Sequence, residues 1–169
     1  MRYMQLNDAD QTTLLERLGA MPTFLDDAFS GLSTADALIE GADSFSPVEQ
    51  CWHLADLECH GYAVRIRRLL NEVEPELPDF DGARVAQERN YKSLSLADGL
   101  QAFRRARADN LAALRRVTAS EWERRGTQEG VGPMGLCDIP VMMAEHDAVH
   151  RAEIDEWQSG QRAKGKGQK

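Results

Sequence analysis

Between Val48 and Val73 the chain places Val48, Trp52, Ala55, Cys59, Tyr62, Ile66, Leu69 and Val73 at alternating spacings of four and three. That rhythm keeps one side of an α-helix apolar for about seven turns, and no strand can use it because strand faces alternate every second residue. Ser46-Pro47-Val48-Glu49 supplies the start: an N-cap serine, a proline in the first turn and a capping-box glutamate. Pro75 marks the stop. A second face of the same helix carries His53, Leu54, Leu57, His60, Gly61 and Val64, with Glu58, Arg65 and Glu72 confined between the two apolar sides. A helix apolar on two sides is sandwiched, here between its own bundle and either another helix layer or another subunit. The second choice predicts a homodimer.

Three further helices are predicted. The first covers Asp10 to Leu32, with Pro22 expected to kink or split it by removing a backbone donor. The third opens at Ser95, with Asp98 three residues on, and carries its stripe to Val117. The fourth runs from about Asp138 to Gln158. Four amphipathic helices and no strand pattern in 169 residues predict an all-α four-helix bundle, one domain over residues 1–159. The Gly/Lys/Gln-rich segment 160–169 is expected to be a disordered tail. Pro75 to Leu94 is long enough to travel the bundle, so the second and third helices are expected to run parallel. Ala119 to Cys137 forms a second long connection, and either one suits the rim of a site.

Composition narrows the partners. With 42% hydrophobic and 28% charged residues the chain reads as soluble and globular. It has no membrane-length apolar run, and no signal-peptide core in residues 1–11, so the cytoplasm is expected. A net charge of −8 disfavours nucleic acid or an anionic membrane as the main partner. Cys51, Cys59 and Cys137 lack CxxC spacing, which suits reduced thiols.

The chemistry lies in the histidines. His146 and His150 are one turn apart, and Ile139, Met142, Met143, Val149, Glu153 and Trp157 fall within about 60° of His146 on a helical projection. Both imidazoles therefore point toward a core, where a metal ion would satisfy them. His53 is the third candidate ligand. Three neutral imidazoles suit Zn, Ni or Fe and leave a position for water, a thiol or a small-molecule substrate. Glu153 is read as a residue orienting His150 or as a base, and His60 as packed or hydrogen-bonded. Asp56 and Asp147 are read as solvated or capping charges, and the arginines at 104, 105, 107, 115 and 116 as a solvated face. A zincin protease is excluded because Asp147 stands where the general-base glutamate must follow the first histidine. An HD-type phosphohydrolase would need ligands from other helices in a different order.

Ser46-Pro47-Val48-Glu49-Gln50-Cys51-Trp52-His53-Leu54-Ala55-Asp56, then Pro78-Asp79-Phe80-Asp81, Glu88-Arg89-Asn90-Tyr91, and finally His146-Asp147-Ala148-Val149-His150-Arg151-Ala152-Glu153-Ile154 together resemble the DinB-like superfamily, most of all its YfiT-like branch. The resemblance spans Asp10 to Trp157. It implies an up-down-down-up bundle, commonly dimeric, with a divalent metal held by His53, His146 and His150. It also implies thiol S-transfer (with thiols such as bacillithiol or mycothiol), thiol-assisted isomerisation or hydrolysis. Two departures stand out: relatives often have Gln where this chain has Glu153, and some carry a histidine near Thr127. The competing reading is a non-catalytic dimeric bundle that binds a metal or ligand as a stress or sensor protein. An open coordination position favours the enzyme; a fourth protein ligand favours the sensor.

Overall fold

A computed structural model describes residues 2–41 and 45–166, and the chain is mostly helical. Helix α1 (Arg2–Gln5) is a single turn. Helix α2 (Asp8–Phe29) begins where the Asn7 side chain accepts the Asp10 N–H at 2.9 Å. Pro22 lies inside α2 without splitting it. Proline has no N–H to give the carbonyl four residues back, Leu18. The Arg107 guanidinium supplies the missing donor, 2.9 Å from the Leu18 oxygen.

The second predicted helix is interrupted. It comprises α3 (Pro47–Asp56), a π-helical turn (Leu57–Tyr62) and α4 (Ala63–Asn71). At its start the Glu49 carboxylate accepts the Ser46 N–H at 3.0 Å, as a capping box requires, and takes the Ser46 hydroxyl at 2.7 Å as well. In the π-turn each N–H reaches back five residues instead of four, which rotates everything beyond it. The Ala63 N–H bonds the Glu58 carbonyl, and the Asn110 side chain takes the same oxygen at 3.0 Å. The continuous stripe expected from spacing is therefore broken: Cys59 is exposed, Glu58 is buried, and Val73 is 91% exposed beyond the end of α4. His60 is exposed on the π-turn.

The long crossover that follows is structured. It holds strand β1 (Glu76–Leu77), helix α5 (Gly82–Arg89) and a 3-10 turn at Tyr91–Ser93. Helix α6 (Leu96–Leu114) starts as predicted, the Ser95 hydroxyl accepting the Asp98 N–H at 3.3 Å. The second connection contains β2 (Arg125–Gln128) and β3 (Gly132–Gly135), an antiparallel hairpin whose turn uses Gly130 and Gly132 at positive φ. Strand β1 joins β2 in parallel, with Glu76 opposite Thr127 and Leu77 opposite Gln128. The expectation of no strands is thus corrected. Segments of two to four residues are too short to carry a readable alternation, and β1 pairs with a strand some fifty residues away.

Helix α7 (Ile139–Lys166) passes its expected end at Gln158 and continues through the first part of the segment read as a tail. Trp157 and Gln158 hold it down, donating to the carbonyls of Ile39 (2.7 Å) and Ala28 (2.9 Å). Residues 167–169 of that segment lie outside the described residues.

Helices α2, α3, α6 and α7 enclose two apolar clusters. One contains Met21, Leu25, Phe29, Leu54, Phe103, Ile154 and Trp157. The other contains Leu18, Leu57, Ile66, Leu69, Leu111, Leu136, Ile139 and Met143. An ionic layer lies at the level of Glu58 and Arg107, residues that interrupt both series in sequence. Arg107, 1% exposed, grips Asp147 with two parallel bonds (2.7 and 2.8 Å) and Glu58 through Nε at 3.0 Å. Asn110 donates to the other Glu58 oxygen at 2.7 Å. Burial pushes the Glu58 carboxyl pKa up, against the pull of Arg107 and Asn110. Arg107, read as part of a solvated face, and Asp147, read as a solvated or capping charge, are corrected here, and so is Asp56. Asp56 is buried, accepting the Tyr91 hydroxyl at 2.6 Å and pairing with Arg89, which stacks over Trp52.

The second face of the α3–α4 helix, read as a subunit interface, is covered by this chain's own crossover. Phe80 packs on His53, and it lies close enough to Gly61 to touch any side chain added there. No helix among the described residues is long and apolar enough to cross a membrane.

Candidate metal centre

Each histidine arrives by a different local device. Capping at Ser46 sets the phase of α3 and so aims His53 inward, while the spacing of four stacks His146 and His150 on α7. Bonded to Arg107, the Asp147 carboxylate, next in sequence to His146, holds that turn of α7 against α6. One ligand atom from each of His53, His146 and His150 falls within 4.8 Å of the others, and among the described residues this group has three members. The Nε2 atoms of His53 and His146 are 3.4 Å apart, and those of His146 and His150 are 3.1 Å apart.

Those separations test whether the site fits an ion. Metal–nitrogen bonds of about 2.0–2.1 Å in tetrahedral geometry put donor nitrogens roughly 3.3–3.4 Å apart. The two separations that His146 makes, 3.4 and 3.1 Å, lie close to that edge length. Lone pairs on converging neutral imidazoles repel at such distances, and a cation among them removes the repulsion.

Around the ligands the shell is uneven. The buried His150 offers Nδ1 to the Gln50 side-chain oxygen at 2.6 Å and lies 3.1 Å from Glu153 Oε2. Gln50 in turn donates to the same Glu153 oxygen at 2.8 Å. His53 Nδ1 is buried with no partner. Its ring lies between Phe45 and Phe80, with centroids 5.4 and 6.2 Å away. Against its edge sits Gly82, the first residue of α5. A Cβ there would stand 2.5 Å from His53 Cε1 and 2.9 Å from Nδ1. Gly82→Ala is therefore expected to tilt the ring and weaken metal binding by about tenfold or more, with little loss of fold, since this substitution favours a helix. Calorimetric titration with zinc checks this; unchanged affinity would show that the contact does not matter.

All three rings are kept neutral. Burial, reinforced by His146, lowers His53 from 6.5 to about 4. Burial and then His150 lower His146 to about 3, and burial and then His53 lower His150 to about 4. In the metal-free protein the unfolded state therefore binds more protons than the native state between pH 6.5 and 4. Stability from this cluster is complete above pH 6.5 and is lost as the pH falls toward 4. Urea unfolding of the metal-free protein at stepped pH is expected to show a midpoint falling across that window. A flat midpoint would contradict it.

The structure thus brings together His53, His146 and His150, with Glu153 against His150 and His60 outside the group. Thr127 is exposed on β2, its N–H bonded to the Pro75 carbonyl at 2.9 Å. Gln50 and Gly82 were not singled out from sequence as site residues. Gln50 had a readable signal, a lone amide one turn before His53 amid Val48, Cys51 and Leu54. Gly82 had none, because its role is a contact across the crossover.

The chain is similar to YfiT from Bacillus subtilis, described as a probable metal-dependent hydrolase with an unusual four-helix bundle topology. The TM-score is 0.84 at 18% identity, over 92% of this chain and 90% of that one. It is also similar to a mycothiol-dependent maleylpyruvate isomerase (TM-score 0.70, 13% identity, 90% of this chain) and to a histidine-to-alanine mutant of that enzyme (0.71, 12%, 90%). This chain covers 62% of the isomerase's length in each comparison. No curated protein matches it in sequence. The shared architecture is the four-helix bundle fold of YfiT, and the family model for the DinB superfamily matches residues 17–154. The chain therefore belongs to the DinB superfamily.

Proposed function

We propose that this protein is a divalent-metal-dependent enzyme of the thiol S-transferase or hydrolase type, acting on a small electrophilic molecule. His53, His146 and His150 would hold one ion, Zn, Ni or Fe, through Nε2. The observation that carries the reading is the convergence of three histidines whose ligand atoms lie within 4.8 Å of one another, with His146 Nε2 3.4 Å from that of His53 and 3.1 Å from that of His150. A divalent ion so held lowers the pKa of a water or thiol that reaches it, supplying a nucleophile at neutral pH. Glu153, the nearest carboxylate in sequence to the pair on α7, is engaged by Gln50 and the His150 Nδ1 rather than offered as a fourth ligand. That supports an open position, and with it an enzyme over a sensor. In this reading Glu153 positions His150, and Phe45 and Phe80 flank His53 and limit water around it. The metal-dependent description of YfiT and the mycothiol dependence of the isomerase support the two nucleophiles proposed.

The proposal includes an up-down-down-up order. Asp26 meets Arg104 while Leu18 meets Arg107, Cys51 lies against Gly99 while Glu58 meets Arg107, and Gln50 meets Glu153 while His53 meets His146. These pairings support α3 and α6 running together, with α2 and α7 opposed to them. A homodimer stays in the proposal on the family resemblance alone, and sedimentation tests it. Free cysteines at 51, 59 and 137 support a reducing, cytoplasmic setting.

The test uses untagged protein, stripped and reloaded with each metal near neutral pH. One equivalent of bound ion is expected, with metal-dependent consumption of a small thiol in the presence of an aryl halide, or metal-dependent hydrolysis of an activated ester. Failure to take up any transition metal would end the reading.

A further inference from the structure

We infer that Gln50, backed by Glu153, sets the tautomer of His150 and so makes it an Nε2 ligand before any ion arrives. The inference rests on the metal-dependent reading above and deepens it by naming the residues that prepare the site. Gln50 is 1% exposed, and its side-chain oxygen stands 2.6 Å from His150 Nδ1. A carbonyl oxygen only accepts, so the proton sits on Nδ1 and the Nε2 lone pair faces His146 Nε2 at 3.1 Å. The amide cannot turn over. Its NH2 group donates to Glu153 Oε2 at 2.8 Å, and a flip would place oxygen against that carboxylate, acceptor against acceptor.

Glu153 is 32% exposed at its side chain, so its carboxylate stays in contact with water. Gln50 carries the influence of that charge inward to a buried ring. Carboxylate, amide and imidazole form a chain in which each acceptor strengthens the next donor, raising the basicity of Nε2. The arrangement is one-sided: His53 Nδ1 is buried with no partner, so nothing fixes its tautomer. His150 is the prepared ligand and His53 the adaptable one. Gln50 and Glu153 are positioning residues in this scheme, with neither touching the ion.

The experiment begins with the metal-free wild-type protein. Long-range proton–nitrogen NMR near pH 7.5 is expected to show His150 as a single Nδ1–H tautomer. In Gln50→Leu, His150 should become a mixture of tautomers, and zinc affinity should drop about 10- to 100-fold. The exchanged pair Gln50→Glu with Glu153→Gln preserves size and puts an acceptor back on Nδ1. It should restore both the tautomer and most of the affinity. This pair also decides the matter if Gln50→Leu fails to fold. An Nε2–H tautomer at His150 in the wild type would overturn the inference, as would zinc affinity within threefold of wild type in a folded Gln50→Leu. Were the wild type to bind no divalent ion, the proposed function would fall, while the His150 tautomer would still decide the role of Gln50.

Discussion

His146→Ala is expected to weaken zinc binding by about 10²–10³-fold while leaving the helical content of the metal-free protein intact. Structural zinc sites with four ligands are worth roughly 10–16 kcal/mol, about 3–4 per ligand, which is the basis of that figure. His146 is the residue to remove because its Nε2 lies within 3.4 Å of the Nε2 of both other histidines, which makes it the common neighbour of the set. The variant also relieves the metal-free protein of a half-buried imidazole held neutral, so no unfolding is expected to confuse the result. Titration calorimetry with zinc, alongside elemental analysis of the purified variant, reads the effect. Retention of wild-type affinity would mean that the three rings converge without serving an ion.

The largest effect on folding is expected from Arg107→Met. Two carboxylates, Glu58 and Asp147, share this one guanidinium in the bundle interior. Removing it strands both, which typically costs about 3–5 kcal/mol, or roughly 6–20 °C in Tm for a chain of this size. The Leu18 carbonyl, already deprived of its helical partner by Pro22, would lose its donor as well. Lowering the pH should narrow the deficit, because burial already favours the neutral form of Glu58 and protonating it removes a stranded charge. The triple variant Arg107→Met, Glu58→Gln, Asp147→Asn should recover much of the loss, since neutral groups tolerate burial better than unpaired ions. A destabilisation below about 1 kcal/mol in Arg107→Met would place the ionic layer among features neutral for stability.

These two predictions divide between what could be read along the chain and what could not. The three histidines of the candidate centre were legible because each is a local matter. The spacing of four puts His146 and His150 on one face whatever surrounds them, and the Ser46 cap fixes the phase of His53. The helices were legible for the same reason, and α6 begins at the serine that predicted it. The ionic layer was not. Arg107 sits among arginines that look alike in sequence, and Arg104 does reach the surface, where it pairs with Asp26. Nothing local distinguishes the one that turns inward.

What decided Arg107 was the irregularity of its neighbours. Pro22 exposes a carbonyl on α2, and the π-turn swings Glu58 into the interior and leaves its carbonyl open to Asn110. A single extra residue in a turn has no compositional signature, yet it changes which side chains face the core beyond it. The strands belong to the same class, pairing one long connection with the other across a gap that no periodicity spans. By itself the sequence determined the helical periods, their caps and the three imidazoles, because these depend on residues within a turn or two. Only the tertiary structure decided which charges are buried, which glycine must stay small and which amide orients His150. Those depend on atoms far apart in the chain, brought together by packing.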